Sequence, residues 1–420
     1  MRSKSDKKKS LVPSLRFPEF REAGAWEVKR LGEIFQERTE RDSSSLELLS
    51  VTMSEGVVKT SQLDRKNNAS SDLSNYKNVY PNDIVYNSMR MWQGASGVSQ
   101  WQGIVSPAYT VITPISTQKP FFWAYYFKHT ENIEKFSRYS QGVTSDTWSL
   151  KFPAFSSIKI PVPTKADEQQ KIAHCLSSLD EVIGLQAKKV QALKQHKKGL
   201  MQQLFPAEGE TTPRLRFPDF REAGAWEVKR LDGICNVLQG YGFPERLQGR
   251  QGGKYPFCKV SDITSAVNEN GGHVVTAVNY ADEDIVAELR AKPIPVGATI
   301  FAKIGEALRL NKRAIVDVEC LVDNNVTGLK AKASAAVDYF IFLLSQNVDL
   351  NKHCGGAVPS VNKSTMEAIK VLVPEPPEQQ KIAHCLSSLD DVIGLESHKL
   401  DALKNLKKGL MQQLFPQEVA

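Results

Sequence analysis

One stretch of 39 residues occurs twice in this chain and constrains its fold more than any other feature. Glu168 to Pro206, EQQKIAHCLSSLDEVIGLQAKKVQALKQHKKGLMQQLFP, returns as Glu378 to Pro416, EQQKIAHCLSSLDDVIGLESHKLDALKNLKKGLMQQLFP, with 31 of 39 positions identical. Ile172, Leu176, Leu179, Ile183, Val190, Leu193, Leu200 and Leu204 recur at spacings built from fours and threes, which puts one narrow apolar stripe on a helix. Ile382, Leu386, Leu389, Ile393, Leu400, Leu403, Leu410 and Leu414 repeat that stripe. Each copy therefore predicts one long helix, roughly 50 Å at 1.5 Å per residue, whose natural partner is the other copy, running antiparallel. Gln186 and Lys197 interrupt the first stripe and Glu396 and Lys407 the second. Polar residues in such a seam cost stability and fix register.

A second repeat multiplies the constraint. LRFPEFREAGAWEVKRL at Leu15 to Leu31 recurs as LRFPDFREAGAWEVKRL at Leu215 to Leu231, so the chain is two half-molecules, each with an opening motif, a body and a long helix. The offset is 200 residues at the motif and 210 at the helix, which makes the second body about ten residues longer. The expected division is a basic tail over 1–14, expected to be disordered, a first body over 15–163, a helix over 164–206, a linker over 207–214, a second body over 215–375, a helix over 376–416 and a tail over 417–420.

The bodies share little sequence, and each reads as short strands with a few helices. Ile84 to Tyr86, Tyr109 to Ile112, Thr299 to Ala302 and Ala314 to Val316 are β-rich runs beside turn residues, while Phe121 to Phe127 and Val337 to Leu344 read as apolar helices. Trp226 to Lys229 alternates like a half-buried strand. Each body ends in an apolar strand, Ile158 to Pro163 or Ile369 to Pro374, that feeds the long helix. Thr164 with Asp167, and Pro376 with Pro377, are the expected helix starts. The fold class is α+β: two α/β bodies separated by two long helices that pair as an antiparallel coiled coil, with a pseudo-twofold internal repeat.

The 420 residues suffice for two or three domains, and 41% hydrophobic content supports cores of ordinary size. No run approaches the roughly 18 apolar residues of a membrane span, and the lysine-rich start has no apolar segment after it, so the expected location is the cytoplasm. The six cysteines form no C-x-x-C pair, and we read them as reduced and structural. A net charge of +7 leans towards a polyanionic partner.

Catalytic signatures are missing from the sequence: there is no G-x-x-x-x-G-K-[ST], G-x-G-x-x-G, H-E-x-x-H or N-P-P-[FYW]. Pro218-Asp219 followed by Glu227-Val228-Lys229 imitates a metal-dependent nuclease, but the carboxylates are close in sequence and the first repeat has Glu19 there. His174 and His384 lie off the stripe in identical contexts and read as structural or exposed.

Base edges are read by Arg, Lys, Asn, Gln and Ser projected from loops. The first body offers Asn87, Ser88, Arg90 and Gln93, then Arg138, Ser140 and Gln141 in a run that continues to Ser145. The second offers Lys303, Arg309, Asn311 and Arg313, then Asn324 and Asn325, then Asn362 and Lys363. Each cluster also reads as an ordinary solvated loop. For the helices, the expected pairing residues are Ile172, Leu176, Leu179, Ile183, Leu193 and Leu200 against Ile382, Leu386, Leu389, Ile393, Leu403 and Leu410.

The W-E-V-K-R-L motif, the EQQKIA-x-x-L-S-x-L-D helix ending KKGLMQQLF, and their duplication around divergent bodies resemble the specificity subunit of a type I restriction-modification system. Gly240 to Ile263, Phe301 to Arg313 and Asp323 to Asn325 are also similar to second target-recognition domains of that family. The resemblance implies that each body reads one half of a bipartite site in double-stranded DNA. It also implies that the helices set the gap and bind two methyltransferase subunits, with restriction and translocase subunits added. No cofactor is expected on this chain, and S-adenosylmethionine, ATP and magnesium would belong to the partner subunits. Two other readings stay open: a self-sufficient methyltransferase or nuclease, which would modify DNA alone, and a protein-interaction scaffold with no DNA preference.

Overall fold

The computed structural model describes residues 11–41, 45–63, 70, 72–115, 117–144, 147–355 and 358–417. The expected disorder of the basic tail, at residues 1–10, and the role of Ser145 lie outside them. Two compact units form, and they cut across the linear division predicted from sequence: one holds residues 1–186 and 399–420, the other 187–398. Each long helix thus gives its first half to one unit and its second half to the other.

The helices run Ala166–Leu204 and Pro376–Leu414, 39 residues each. Neither contains an internal proline after its first turn, and Pro206 and Pro416 follow each end, where a ring without an N–H cannot continue the helix. Pro376 occupies the first helical position as expected. The other start differs: the helix begins at Ala166, so Lys165 rather than Thr164 stands at the cap. The carboxylate expected at that start, Asp167, lies in the first turn of the helix, and its neighbour Glu168 is used elsewhere.

In the first unit the body builds an antiparallel four-stranded sheet in the order Phe35–Arg38, Tyr109–Pro114, Ile84–Asn87, Ser96–Val98. A hairpin, Leu49–Thr52 with Gly56–Lys59, lies close against the last strand. Gly97 makes that approach possible, because a Cβ there would stand 2.6 Å from the Gly56 Cα. The predicted apolar helix forms over Pro120–Tyr126. Trp26, Phe35, Phe122, Trp123, Tyr126 and Phe155 make an aromatic core together with Ile172 and Leu176 from the start of the first long helix and Leu414 and Phe415 from the end of the second. Phe415 stacks on Tyr126 with centroids 4.8 Å apart.

The second unit has different sheets. Five strands run in the order Cys235–Gln239, Val326–Ala331, Thr299–Ala302, Ala314–Val316, His273–Val274, and a three-stranded sheet orders Asn279–Ala281, Tyr255–Cys258, Leu321–Val322. Its helix Asp338–Asn347 answers the predicted apolar run. Trp226, Phe301 and Phe340 form the core with Leu204 and Phe205 from the end of the first long helix and Ile382 and Leu386 from the start of the second. Phe205 stacks on Phe340 at 5.6 Å. Unlike sheets are therefore closed in the same way, with the start of one helix beside the end of the other, which is the antiparallel pairing that the stripes imply.

The repeated WEVKR strands are a correction in detail. Among the described residues, Glu27–Arg30 pairs only with Lys159–Val162, and Glu227–Arg230 only with Lys370–Val373. Both are largely exposed rather than half-buried, with Val28 53% and Val228 63% exposed. No helix among the described residues is long and apolar enough to cross a membrane.

Candidate nucleic-acid interface

In the first unit, the strand Ile84–Asn87 delivers the chain to the first polar cluster. The Asn87 side-chain oxygen accepts the Met89 N–H at 3.0 Å and shapes the turn. Ser88 is buried, its hydroxyl 2.8 Å from that of Thr110. Arg90 is exposed, and Gln93 is half-buried at the end of a short 3-10 turn. The second cluster leaves the helix Thr130–Tyr139, where Arg138 is exposed and lies 3.5 Å from Glu134. The Ser140 hydroxyl donates to the Phe136 carbonyl, and Gln141 exchanges both backbone hydrogen bonds with Ser149.

These two clusters, some 50 residues apart in sequence, come together. The Leu150 N–H donates to the Ser88 carbonyl at 2.8 Å, and Trp92 meets Trp148 edge-on at 5.4 Å. A cleft of about 410 Å³ beside them is lined by Ser88, Arg41, Lys77 and Lys151. Those three cations were not legible as a group, because they come from separate loops and strands with no shared spacing. Lys77 is partly occupied, donating to Glu37 and to the Tyr109 carbonyl, whereas Arg41 and Lys151 are exposed.

In the second unit, three stretches meet at the end of the strand Thr299–Ala302. The Lys303 N–H donates to the Asn325 carbonyl, its carbonyl accepts from Val361, and the Gly305 N–H donates to Pro359. Lys303, the Asp323 turn and the Pro359 to Lys363 loop are thereby one locality. Gly240 seals its back: a Cβ there would lie 1.8 Å from the Asp323 carbonyl oxygen. Burial pushes the Asp323 carboxyl up against the opposing hydrogen bonds from Asn325 and the fields of Lys259 and Lys303, and burial also pushes the Lys303 ammonium down. Lys259, which donates to Gln248 and lies 5.6 Å from the Phe243 ring centre, was legible only as part of the Gly240 to Ile263 region.

Several of these side chains already have structural work. Asn325 donates to Asp323, and Asn362 caps the helix Lys363–Ala368 by accepting the Thr365 N–H at 2.8 Å. Lys363 is exposed 3.6 Å from Glu367, Asn324 is exposed, and the Asn311 amide donates to the Gln346 carbonyl. Arg309 is exposed and pairs with Glu306.

Arg313 does not fit the expected DNA contact. It is 3% exposed, its guanidinium lies 4.2 Å from the Phe301 ring centre, and its Nη1 donates to the Lys312 carbonyl. Among the described residues its Nε and Nη2 have no hydrogen-bond partner, and burial lowers its pKa to about 9. The sequence run RLNKR does not distinguish an arginine that points out from one that folds under its own turn.

On the helices, Ile172, Leu176, Ile382 and Leu386 are buried in the two cores, and Ile393 is buried as well. Leu179, Ile183, Leu193, Leu200, Leu389, Leu403 and Leu410 are half-buried. The interrupting lysines turn out to be paired. Lys407 lies 2.5 and 2.7 Å from the two oxygens of Asp180, which also accepts the Tyr125 hydroxyl at 2.8 Å. In the second unit Lys197 holds Asp390, which accepts the Tyr339 hydroxyl. Burial, then the neighbouring aspartate, raises the pKa of both tyrosines.

The EQQ signature also acquires a mechanism that its sequence did not disclose. Glu168 takes both Nε and Nη2 of Arg16 at 2.7 Å and the Trp26 indole N–H at 3.3 Å, all buried. Gln169 accepts the Lys119 N–H and donates to the Gln118 side chain. Glu378 holds Arg216 at 2.7 and 2.6 Å, and Gln379 accepts the Val337 N–H while donating to the Ala335 and Pro374 carbonyls. The glutamate ties down the opening motif, and the first glutamine ties down the start of the body's helix.

Residues 24–195 and again 224–405 match the family model of the type I restriction modification DNA specificity domain, and the chain belongs to that family. Among curated relatives, the putative type I restriction enzyme MjaX specificity subunit of Methanocaldococcus jannaschii is 24% identical over 313 residues, covering 71% of this chain and 67% of that protein. The MjaIX specificity subunit of the same organism is 25% identical over 301 residues, covering 70% and 67%. The crystal structure of a type I restriction-modification system S subunit from M. genitalium superposes with a TM-score of 0.59 at 15% identity, over 97% of this chain and all of that one. A chain from a structural study of the assembly and conformational transition of a type I restriction-modification system gives 0.56 at 14% identity, covering 94% and 98%. At these identities the two structures show a shared fold.

Proposed function

We propose that the chain is the DNA-specificity subunit of a type I restriction-modification assembly, non-catalytic by itself, that reads a bipartite target in double-stranded DNA. The observation that carries this reading is the contrast within one family member: two bodies with unlike sheets are closed by the same helix pairing and the same arginine–glutamate clamp. A scaffold kept the same around two different readers suits a target with two different halves. The exposed cations of each polar cluster, Arg41, Arg90, Arg138 and Lys151 in one unit and Arg309 and Lys363 in the other, supply phosphate affinity that falls with salt, while exposed amides such as Gln141 and Asn324 face base edges. Two methyltransferase subunits and restriction and translocase subunits complete the assembly, and S-adenosylmethionine, ATP and magnesium act on those partners.

Methylation mapping tests the reading. With the methyltransferase partner present, modified DNA should show one two-part sequence with a fixed unread gap. Exchanging residues 32–163 for the body of a relative should alter one half and leave the other. Methylation, cleavage or ATP hydrolysis by the highly purified single chain would overturn it, as would both halves changing together.

A further inference from the structure

The first unit contains a second cleft, of about 430 Å³, that shares no lining residue with the cleft beside the polar clusters. The hairpin at Ser54 to Val58 forms one wall and the long-helix residues Asp180 and Lys407 another, with Trp101, Phe121 and Tyr125 as aromatic surfaces and Lys128 among its lining residues. The charges there balance in number, Lys128 and Lys407 against Asp180 and Glu55, but not in pairing. Lys407 occupies both oxygens of Asp180, and the Tyr125 hydroxyl takes a further share of that carboxylate. Lys128 is half-buried, donates only to the Met53 carbonyl at 3.2 Å, and has no carboxylate ion pair among the described residues. Glu55 lines the rim without pairing to it. Burial and then the nearby Lys407 ammonium push the Lys128 pKa down, and Asp180 opposes them only in part. A partly desolvated cation beside a second cation is unfavourable unless an anion completes it.

The other unit shows that the scaffold does not need this lysine. Tyr339 stands where Tyr125 does, with its hydroxyl on the aspartate that a lysine of the long helix holds. Three residues after Tyr125 comes Lys128; three residues after Tyr339 comes Phe342, which is 5% exposed.

We propose that the cleft is a phosphate-ester site, with Lys128 as the direct ligand of the phosphate, and Trp101 and Phe121 as surfaces for the attached sugar or, in a free nucleotide, the base. Two sources share that chemistry: the backbone of bound duplex DNA and a free nucleotide. Contact of lysine with phosphate holds either one, whereas stacking of a base on an aromatic side chain is open to the free nucleotide, whose base is not already stacked in a duplex.

The test needs no variant in its first form. The full chain is labelled with an amine-acetylating reagent, alone and with saturating inorganic phosphate, AMP or a duplex, and modification of Lys128 is read by mass spectrometry. Protection of threefold or more by phosphate or AMP assigns a free nucleotide, and protection by duplex alone assigns the DNA backbone. Undiminished labelling in all three overturns the site. In the second form, Lys128→Met should fold as stably as the parent, as Phe342 predicts. It should lose at least tenfold in affinity for the protecting ligand, and Lys128→Arg should restore most of it. For duplex, the slope of log affinity against log salt should fall by about one, equally on target and unrelated sequence. Unchanged affinity and slope in Lys128→Met overturn the proposal. The duplex arm rests on the DNA-reading role, and the two failures are distinguishable. If the unaltered chain binds no duplex, that role fails, whereas if it binds duplex with Lys128 unprotected and AMP and phosphate inert, the cleft fails.

Discussion

Arg309 and Arg313 are four residues apart on one short basic loop, and the structure assigns them opposite fates. Arg309 is exposed and held only by Glu306, so Arg309→Ala should weaken DNA binding by about 1–3 kcal/mol if it reads a base edge. Arg313 is buried on Phe301 with two unpaired nitrogens. A buried charge without a countercharge carries a desolvation cost that an apolar side chain of similar length does not, so Arg313→Met should leave DNA affinity unchanged and unfolding free energy within about 1 kcal/mol of the parent or above it. Anisotropy titration with urea unfolding checks both; a loss of binding in Arg313→Met with stability intact would return that residue to the interface. His129 gives a residue-scale prediction of another kind. It is buried beside Phe415 with Nδ1 unpartnered among the described residues, and burial, then Lys135, depresses its pKa from 6.5 to about 4. Between those values the unfolded chain binds more protons than the folded one, so stability rises with pH across the window and is lost as pH falls from about 6.5 towards 4. His129→Phe should flatten that part of the stability curve in urea melts at pH 7 and pH 5. A curve as steep as the parent's would assign the effect to other groups.

At the scale of elements, periodicity disclosed what periodicity controls. The stripe at Ile172, Leu176 and their repeats predicted the helix pairing, and β-rich runs located Ile84–Asn87 and Thr299–Ala302 to within a residue. What stayed hidden depends on partners distant in sequence. Lys197 and Lys407 read as gaps in a stripe, yet each is answered by an aspartate on the other helix some 190 or 230 residues away. Glu168 read as part of a helix start, yet its partner Arg16 is 152 residues earlier. The polar clusters were found as clusters, but their cleft was not, because Arg41, Lys77 and Lys151 share no period with Ser88. The buried clamp yields a direct measurement. Glu168→Gln leaves the Arg16 guanidinium buried without its countercharge, and breaking a buried pair from one side typically costs about 3–5 kcal/mol. Glu378→Gln should do the same to Arg216 in the other unit. Chemical unfolding of the two variants should show losses of that order, and a change under about 1 kcal/mol in both would mean that the clamp positions the opening motif without stabilising it.

For the whole molecule, the division into units marks the place to alter spacing without disturbing either reader. The units part between Gln186 and Ala187 on the first long helix and between His398 and Lys399 on the second. Seven residues inserted at both points keep the stripe in phase and leave intact the Asp180–Lys407 and Asp390–Lys197 pairs, since each pair lies within one unit. Each helix grows by about 10 Å. If helix length sets the unread gap, the gap should widen by up to about three base pairs at 3.4 Å each, while both half-site sequences stay the same because the bodies are unaltered. Two residues inserted at the same points rotate the rest of each helix by about 200° and carry the stripe out of register, so assembly or binding should fail. The seven-residue variant is the decisive one, read by methylation mapping with the partner subunits present. An active enzyme whose gap had not moved would show that the long helices join the two readers without measuring the distance between the sites they read.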